Sequence, residues 1–298
     1  MDNHDHHIPI RGNRLLASAL LNLIISIAEI IGGLLSNSLS LISDALHNLS
    51  DGIAIFIAWM ANVVSKRPSN AKRTFGYKRI EILAAFFNAL ILIAVSVYLF
   101  YESVQRIIEP EPVKGMLMLI VAFIGLIANL IAVLLLRFDS KRNINVKAAY
   151  LHLIGDTLTS VAVITGGILI YFLDIHWIDP IITILIGLYI IKQTWAILRQ
   201  TIDILMQGSP AGMDLEMIRQ DLEKIPEIAN IHHVHIWNMD DQSVHFECHV
   251  DLKENSRISE TESIYLNIEK LLKERHHISH LTIQFEYQRC DDKNMIHM

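Results

Sequence analysis

The chain has 298 residues, of which 52% are hydrophobic and 19% are charged, and its formal net charge is −6. Soluble domains are about a quarter charged, so this composition favours a membrane protein. The negative balance argues against nucleic acid as a partner. Two cysteines, Cys248 and Cys290, are too few for a disulfide framework. The polar first thirteen residues lack the apolar core of a signal peptide, so we expect no cleaved leader.

Six segments are predicted to span a membrane, since a helix needs about 20 mostly apolar residues to cross a bilayer. The two strongest carry no formal charge, and they are residues 82–101 and 116–136. Four weaker segments contain a few polar residues, and they run over residues 15–35, 40–64, 148–173 and 177–198. An even number of spans predicts that both termini lie on the same side of the membrane.

The charges of the loops indicate which side that is. Six basic residues lie between the second and third spans, namely Lys66, Arg67, Lys72, Arg73, Lys78 and Arg79. Four more lie between the fourth and fifth spans, namely Arg137, Lys141, Arg142 and Lys147. The loops at the opposite ends contain one lysine in total. By the positive-inside rule, the basic loops and both termini are predicted to be cytoplasmic.

A soluble domain is predicted after the last span, beyond a stretch, MQGSPAGMD, that is typical of a linker. Residues 214–225 show the spacing of a helix, and Ser259 with Glu262 forms a candidate capping box for a second helix. The segments VHFECHVDL and LTIQFEY alternate between apolar and polar residues, as half-buried strands do. The order α-β-β-α-β predicts a ferredoxin-like α+β domain of about 80 residues with one polar sheet face.

The predicted fold class is therefore an all-α six-helix transmembrane domain followed by a ferredoxin-like (αββαβ) cytosolic domain. We predict an N-terminal tail at residues 1–13, the transmembrane domain at 14–206, the cytosolic domain at 207–290 and a C-terminal tail at 291–298. The N-terminal tail contains His4, His6 and His7, which we expect to be solvated.

Two of the predicted spans each place a histidine and an aspartate four residues apart. HNLSD in the second span contains His47 and Asp51, and HLIGD in the fifth contains His152 and Asp156. Residues four apart lie on the same face of a helix. Two such helices would supply two nitrogen and two oxygen ligands, a set that suits a tetrahedral Zn²⁺. The spacing therefore predicts a metal site within the membrane.

The cost of burying charge favours this interpretation. An ionised aspartate at the bilayer centre costs about 2.5–3.5 kcal/mol on insertion scales, so acids in spans are usually functional. The alternative is a polar patch in which each histidine hydrogen-bonds a nearby aspartate. Because the same pair occurs in two separate helices, we favour the metal site. Asn22 and Asp44, which also lie in predicted spans, could line the access route to the site, but for each alone we expect a structural hydrogen-bonding role and not that of a ligand.

HNLSD and HLIGD occur together with six predicted spans, a basic FGYKR loop and a terminal domain that contains HHVHIW. In this combination the chain resembles the cation diffusion facilitator family of zinc exporters, over about residues 10–290. The resemblance implies a secondary transporter, not an enzyme, in the inner or plasma membrane of a bacterium. It implies a homodimer that exports metal from the cytosol by alternating access, usually in exchange for protons. The transport site that it implies consists of His47, Asp51, His152 and Asp156.

The resemblance also implies a cytosolic zinc site at His232, His249 and Glu286. Strand alternation agrees for His249 and Glu286, which fall on the polar phases of their strands. In IHHVHIW, however, the polar phase contains His233 and His235, so His232 and His233 are both retained as alternatives. The tails could complete the coordination, although solvated surface positions are expected for the tail histidines and for Cys290, His276, His277 and His280.

Two other functions compete with transport. An intramembrane zinc hydrolase would need three protein ligands, an open position for water and a carboxylate base, often written HExxH. Neither HNLSD nor HLIGD has a glutamate after the histidine. A membrane metal sensor would leave the paired sites in the membrane without a purpose. Nitrogen and oxygen ligands do not separate Zn²⁺ from Co²⁺, Cd²⁺ or Fe²⁺, because affinity follows the Irving–Williams order.

Overall fold

The computed structural model describes residues 12–65, 69–137, 144–240, 243–289 and 294–295. The chain forms two compact units. The helical unit comprises the residues up to Trp59 together with Phe87–Ile197, and the C-terminal unit comprises Met60–Phe86 and the residues from Leu198 onward. The loop between the second and third helices therefore belongs to the C-terminal unit.

In the described part of the chain, six long helices precede the C-terminal sheet, and they are α1 Gly12–Ser36, α2 Leu39–Ser65, α3 Ile80–Ile108, α4 Gly115–Leu136, α5 Ile144–Leu173 and α6 Ile178–Leu205. Among the described residues, four segments are long and apolar enough to cross a membrane, and they are Ile80–Ile108, Gly115–Leu136, Tyr150–Leu173 and Ile178–Leu205. Leu21–Ser36 forms a shorter apolar helix. The predicted membrane protein is thus confirmed, while spans at α1 and α2 stay a prediction.

Small residues allow the helices of the helical unit to approach one another closely. A Cβ atom at Gly32 of α1 would stand 2.6 Å from the Val121 side chain of α4, and one at Gly167 of α5 would stand 2.9 Å from Leu119 of α4. Such close packing stabilises helices in a membrane, where lipid is as apolar as their side chains. The core around these contacts includes Met118, Ala122, Val163, Ile186 and Ile190.

The C-terminal unit contains, in its described part, a mixed three-stranded sheet with the order β1-β2-β3. Its elements are α7 Leu215–Leu222, β1 Ile228–Asn238, β2 Val244–Leu252, α8 Ile258–His276 and β3 His280–Glu286. β1 pairs antiparallel with β2, and β2 pairs parallel with β3. The predicted alternation of β2 is confirmed, because its core-facing residues are Phe246, Cys248, Val250 and Leu252. They pack in one cluster with apolar residues of α8, namely Ile264, Ile268 and Leu272.

The start of α8 differs from the predicted capping box of Ser259 and Glu262. The helix begins at Ile258, and its N-cap residue is Arg257 in an extended conformation. The Glu260 carboxylate accepts a hydrogen bond from the Arg257 backbone N–H at 2.8 Å. The prediction is wrong by two residues because a carboxylate in the first turn, not a hydroxyl at the cap, satisfies the free backbone donor here.

Candidate metal centres

The four residues predicted to form a site within the membrane lie together in the helical unit. His152 Nε2 lies 3.0 Å from Asp51 Oδ2 and 3.8 Å from Asp156 Oδ2. His47 Nδ1 lies 3.7 Å from Asp51 Oδ2, and His47 Nε2 lies 3.8 Å from Asp156 Oδ1. Each imidazole thus approaches both carboxylates, and one ligand atom from each of the four residues lies within 4.8 Å of the others.

These distances suit a four-coordinate cation. Ligand atoms about 2.0–2.2 Å from a tetrahedral Zn²⁺ stand roughly 3.3–3.6 Å from one another. The contacts between imidazole nitrogens and carboxylate oxygens, at 3.0–3.8 Å, bracket that separation. Neither nitrogen of His47 completes a hydrogen bond with a described residue, so both are available to a metal. The arrangement can therefore bind a divalent cation after small side-chain movements.

The site is buried on one side and partly open on the other. The side chains of His47 and Asp156 are 4% and 2% exposed, whereas those of His152 and Asp51 are 36% and 27% exposed. The described residues therefore enclose His47 and Asp156 more completely than His152 and Asp51.

A second buried acid lies close to the site on α2. Asp44 accepts hydrogen bonds from the hydroxyl groups of Thr159 at 2.6 Å and Ser160 at 3.2 Å. Asn129 Nδ2 in turn donates to Ser160 Oγ at 3.2 Å. Asp44 therefore has the hydrogen-bonding role that was expected of it. Glu29 of α1 is also buried and interacts electrostatically with Asp44. It was not among the predicted site residues, although an acid in an apolar segment is itself a signal of function.

Three residues of the C-terminal unit form a second cluster, one from each strand. His232 Nε2 lies 3.4 Å from Glu286 Oε2, and His249 Nδ1 lies 3.1 Å from Glu286 Oε1. The two histidine rings stand edge to face, with centroids 5.4 Å apart. His232 is buried, and neither of its nitrogens completes a hydrogen bond within the described part of the chain. Two imidazoles and one carboxylate fit a zinc ion with one further position for another ligand.

A β-bulge brings His232 to the polar face of the sheet. The register of β1 with β2 shifts directly after His232, and His233 adopts a positive φ of 50°. One extra residue in a strand reverses the alternation of its side chains. The prediction that favoured His233 assumed that side chains alternate without interruption along β1, and the bulge interrupts that alternation. The structure places His232 with His249 and Glu286, and it leaves the His233 ring stacked on His249 with centroids 4.7 Å apart.

Burial controls the charge of two side chains near this cluster. Burial lowers the pKa of His249, with the neighbouring His233 and His232 acting in the same direction and Glu286 opposing them. The neutral imidazole that results is the form that binds metal. Burial also raises the pKa of the Cys248 thiol to about 12. Cys248 therefore stays protonated in the apolar core, where it packs as a small hydrophobic residue.

The other predicted histidines have different surroundings. His276 is not a surface residue as predicted, because its side chain is 8% exposed and its Nε2 lies 3.0 Å from Asp221 Oδ2. Hydrogen bonds, chiefly from Lys224 and then from His276, lower the pKa of Asp221. His277 and His280 are exposed, as predicted. Four further residues lie outside the described residues, namely His4, His6, His7 and Cys290.

The sequence matches known proteins along nearly its whole length. Residues 15–206 match the cation efflux transmembrane domain, and residues 210–288 match the cytoplasmic domain of cation efflux proteins. The chain belongs to the cation efflux family. The resemblance first seen in HNLSD and HLIGD is therefore confirmed, and the protein is a transporter of this family, not an enzyme. The hydrolase and sensor interpretations are not supported.

Three relatives show how far the similarity extends. The zinc transporter ZitB of Pectobacterium atrosepticum is 41% identical over 97% of this chain and 90% of the relative. The metal cation efflux system protein CzcD of Cupriavidus metallidurans is 38% identical over 97% of this chain and 91% of the relative. The cadmium, cobalt and zinc/H(+)-K(+) antiporter of Bacillus subtilis is 38% identical over 98% of this chain and 94% of the relative.

Proposed function

We propose that the protein exports Zn²⁺ from the cytosol across the cell membrane in exchange for protons. The observation that carries the proposal is the cluster of two imidazoles and two carboxylates on α2 and α5. Relatives are named as zinc transporters, and one is named as an antiporter of cadmium, cobalt and zinc. Co²⁺, Cd²⁺ and Fe²⁺ are alternative substrates, since nitrogen and oxygen ligands bind all of them.

The four side chains would bind the metal as substrate and couple its movement to protons. Metal binding requires neutral imidazoles and ionised carboxylates, so loading from the cytosol releases protons. Once the site faces the outside, protons compete with the metal for His47, His152 and the two aspartates. Histidine titrates near physiological pH, so modest acidity favours release of the metal. An inward proton gradient thereby drives outward metal flow.

The proposal includes the topology predicted from the sequence. All six helices α1–α6 would span the membrane, with the basic loops and both termini in the cytosol. The proposed boundaries are 14–206 for the transmembrane domain and 207–290 for a ferredoxin-like cytosolic domain, with tails at 1–13 and 291–298. The element order α7-β1-β2-α8-β3 supports this fold. Packing of the basic loop within the C-terminal unit supports a location on the same side of the membrane.

We further propose that the cytosolic cluster binds zinc and that the protein is a homodimer. The support for zinc is the proximity of His232, His249 and Glu286, whose ligand atoms lie within 4.8 Å of one another. The Gln284 amide donates to Glu286 Oε1 at 2.5 Å, which orients the carboxylate towards the histidines. A match to the cytoplasmic domain of cation efflux proteins supports a role in assembly.

Zinc uptake into inside-out or reconstituted vesicles with an imposed pH gradient tests the proposed function. Asp51→Ala and Asp156→Ala should each abolish gradient-dependent uptake, because each removes a carboxylate that approaches both imidazoles. Asp174→Asn is the matched control, since the side chain of this aspartate is 92% exposed. It should transport zinc at the wild-type rate.

Two results would contradict the proposed function. If folded Asp156→Ala protein transported zinc at the wild-type rate, the cluster would be a structural patch. If the wild-type protein bound zinc without moving it into competent vesicles, transport of zinc would be excluded and the metal should be sought among Co²⁺, Cd²⁺ and Fe²⁺ in the same assay.

A further inference from the structure

A buried acid outside the four-residue cluster completes no hydrogen bond of ordinary length and angle with the described residues. Glu29 lies in the second half of α1, and 1% of its surface is exposed. Neither of its carboxyl oxygens completes a hydrogen bond with a described residue. A carboxylate in an apolar medium is costly unless a donor or a cation compensates its charge. The transport cycle described above does not use Glu29, so its burial requires another explanation.

The neighbouring helices leave room for this carboxyl group and direct polar groups towards it. A Cβ atom at Gly125 of α4 would collide with Glu29 Oε1, so the absence of a side chain there accommodates the carboxyl group. Glu29 also interacts with Asn48 and Asp44, which lie one turn apart on α2. Asn48 is fully buried, yet neither atom of its amide completes a hydrogen bond of ordinary length and angle.

The charged groups that interact with Glu29 and Asp44 are mostly negative, so they do not balance the charge of these two acids. Glu29 interacts electrostatically with Asp44 and Asp156. Asp44 in turn interacts electrostatically with Asp156 and His47. α4 contains no titratable residue. No lysine or arginine in the described part of the chain forms an ion pair with either acid. The two Glu29 oxygens and the Asn48 amide therefore lie beside a second buried carboxyl group without completing a hydrogen bond of their own. Buried groups of this kind are usually compensated by a donor or a cation.

We propose that Glu29, Asp44 and Asn48 form a second cation site, which binds a counter-ion of transport as a hard monovalent cation, either an alkali-metal ion or a proton additional to those that compete with the metal at the four ligands. The donors are carboxylate and amide oxygens, which are the ligands of hard cations. The imidazoles that zinc prefers belong to the other cluster. This inference rests on the proposed function, since a counter-ion is needed only if the protein exchanges one ion for another.

Electrostatics would couple the second site to the metal. Asp156 acts on Glu29 and on Asp44, and it is also one of the four proposed metal ligands. A divalent cation at Asp156 repels a second cation nearby, and the repulsion is strong because the groups are buried. A monovalent cation at Glu29 in turn weakens the binding of the metal. The two ions therefore bind in alternation, as exchange requires.

Transport by the full chain in reconstituted vesicles tests this site. The variant is Glu29→Gln, and the matched control is Glu109→Gln, which changes an exposed glutamate in the same way. One assay follows exchange of labelled zinc with equal ion concentrations on both sides. The other follows zinc uptake driven by a proton gradient or, at clamped pH, by a K⁺ gradient. Glu29→Gln should keep zinc exchange but lose gradient-driven uptake by about tenfold or more. Glu109→Gln should match the wild type in both assays, and the gradient that drives the wild type identifies the ion.

The outcomes separate the second site from the proposed function. Gradient-driven uptake by Glu29→Gln at the wild-type rate would overturn the second site, and so would loss of zinc exchange in folded Glu29→Gln protein. If Glu29→Gln does not fold, Gly125→Ala replaces it, because a methyl group there displaces the carboxyl group without removing it. Gly125→Ala should lose coupled uptake and keep exchange. Absence of zinc exchange in the wild type would contradict the proposed function instead.

Discussion

His233 adopts a φ of 50° within β1, a conformation that costs residues other than glycine roughly 1–2 kcal/mol. Two backbone hydrogen bonds help to hold it there. The His233 N–H donates to the Asn294 carbonyl at 3.3 Å, and the Val234 N–H donates to the Met295 carbonyl at 2.7 Å. The result of this conformation is that His232, its neighbour, reaches Glu286 on β3. Strain at one residue thus determines which imidazole joins the cytosolic cluster.

Substitutions at these two positions should separate a ligand from a residue that shapes the strand. In an Asp51→Ala/Asp156→Ala background, His232→Ala should weaken zinc binding by more than about tenfold, since even outer-shell changes at metal sites cost about 10–100-fold. His233→Gly tolerates the positive φ and should bind zinc as the background protein does. His233→Val opposes that φ and should weaken binding. Calorimetric titration with zinc measures all three.

The titration can also contradict the assignment of His232. Loss of zinc binding in His233→Gly but not in His232→Ala would identify His233 as the ligand. It would also mean that the β-bulge does not position His232 to bind zinc.

Among the helices, α2 and α6 are joined by a buried aspartate that the sequence analysis did not single out. Asp179 accepts hydrogen bonds from the Ser38 and Ser40 hydroxyl groups, each at 2.6 Å, and from the backbone N–H groups of Leu39 and Ser40 at 2.8 Å and 3.3 Å. These N–H groups lie at the start of α2 and have no partner within that helix. The first turn of α6 therefore caps α2, the helix that carries His47.

Removal of this cap should destabilise the protein. Asp179→Ala leaves several buried donors without an acceptor, so we expect a loss of about 3 kcal/mol in the free energy of unfolding. Thermal unfolding in detergent, with a chelator present, should show a melting temperature several degrees below that of the wild type. Asp174→Asn, at an exposed position near the start of the same helix, should melt as the wild type does. Equal melting temperatures for Asp179→Ala and the wild type would show that Asp179 does not hold α2.

The segment that leads into α3 contacts the sheet through the ring of His245. Phe75 stands edge to face with His245, with centroids 5.7 Å apart, and Trp237 stacks on it at 5.5 Å. Burial lowers the pKa of His245, and the nearby positive groups of His280 and Lys78 lower it further. The folded protein therefore holds this imidazole neutral at pH values where an exposed histidine is protonated.

The stability of the protein should consequently fall in mild acid. The unfolded chain takes up a proton near pH 6.5 that His245 of the folded protein takes up only at lower pH. The contribution of His245 to the free energy of unfolding is therefore present above about pH 6.5 and is lost as the pH falls through the pKa of His245 in the folded protein. His245→Gln should narrow the difference in melting temperature between about pH 7.5 and 5.5, measured with chelator. His235→Gln, at an exposed position, is the control, and an unchanged difference in His245→Gln would contradict the role of burial.

At the scale of the whole molecule, each unit contains its own candidate metal centre. The helical unit holds two imidazoles and two carboxylates, two of which are partly exposed and two of which are buried. The C-terminal unit holds two imidazoles and one carboxylate on three strands. Two carboxylates can neutralise a divalent cation, whereas one carboxylate leaves a net positive charge. The two candidate centres therefore differ in the net charge that they would carry with a divalent cation bound.

The features that the sequence by itself determined are those that depend on neighbours along the chain. The apolar helices follow from long runs without charge, and the core face of β2 follows from alternation. The positions of His47 and Asp51, and of His152 and Asp156, follow from the helical repeat. The cost of burying charge made this repeated pair a signal of metal chemistry before any contact was known.

Only the tertiary structure decided the features that depend on residues far apart in the sequence. Asp179 meets Ser38 across 141 positions, and Glu29 lies against Gly125 of another helix. The bulge at His233 is supported by hydrogen bonds that β1 donates to carbonyl groups near the C-terminus, so alternation along β1 could not reveal it. Periodicity records which face of an element is buried, but it carries no information about the partner that buries it. Hydrogen bonds and charges depend on that partner, and so only the packed chain reveals the capping aspartate, the second acid and the choice of histidine.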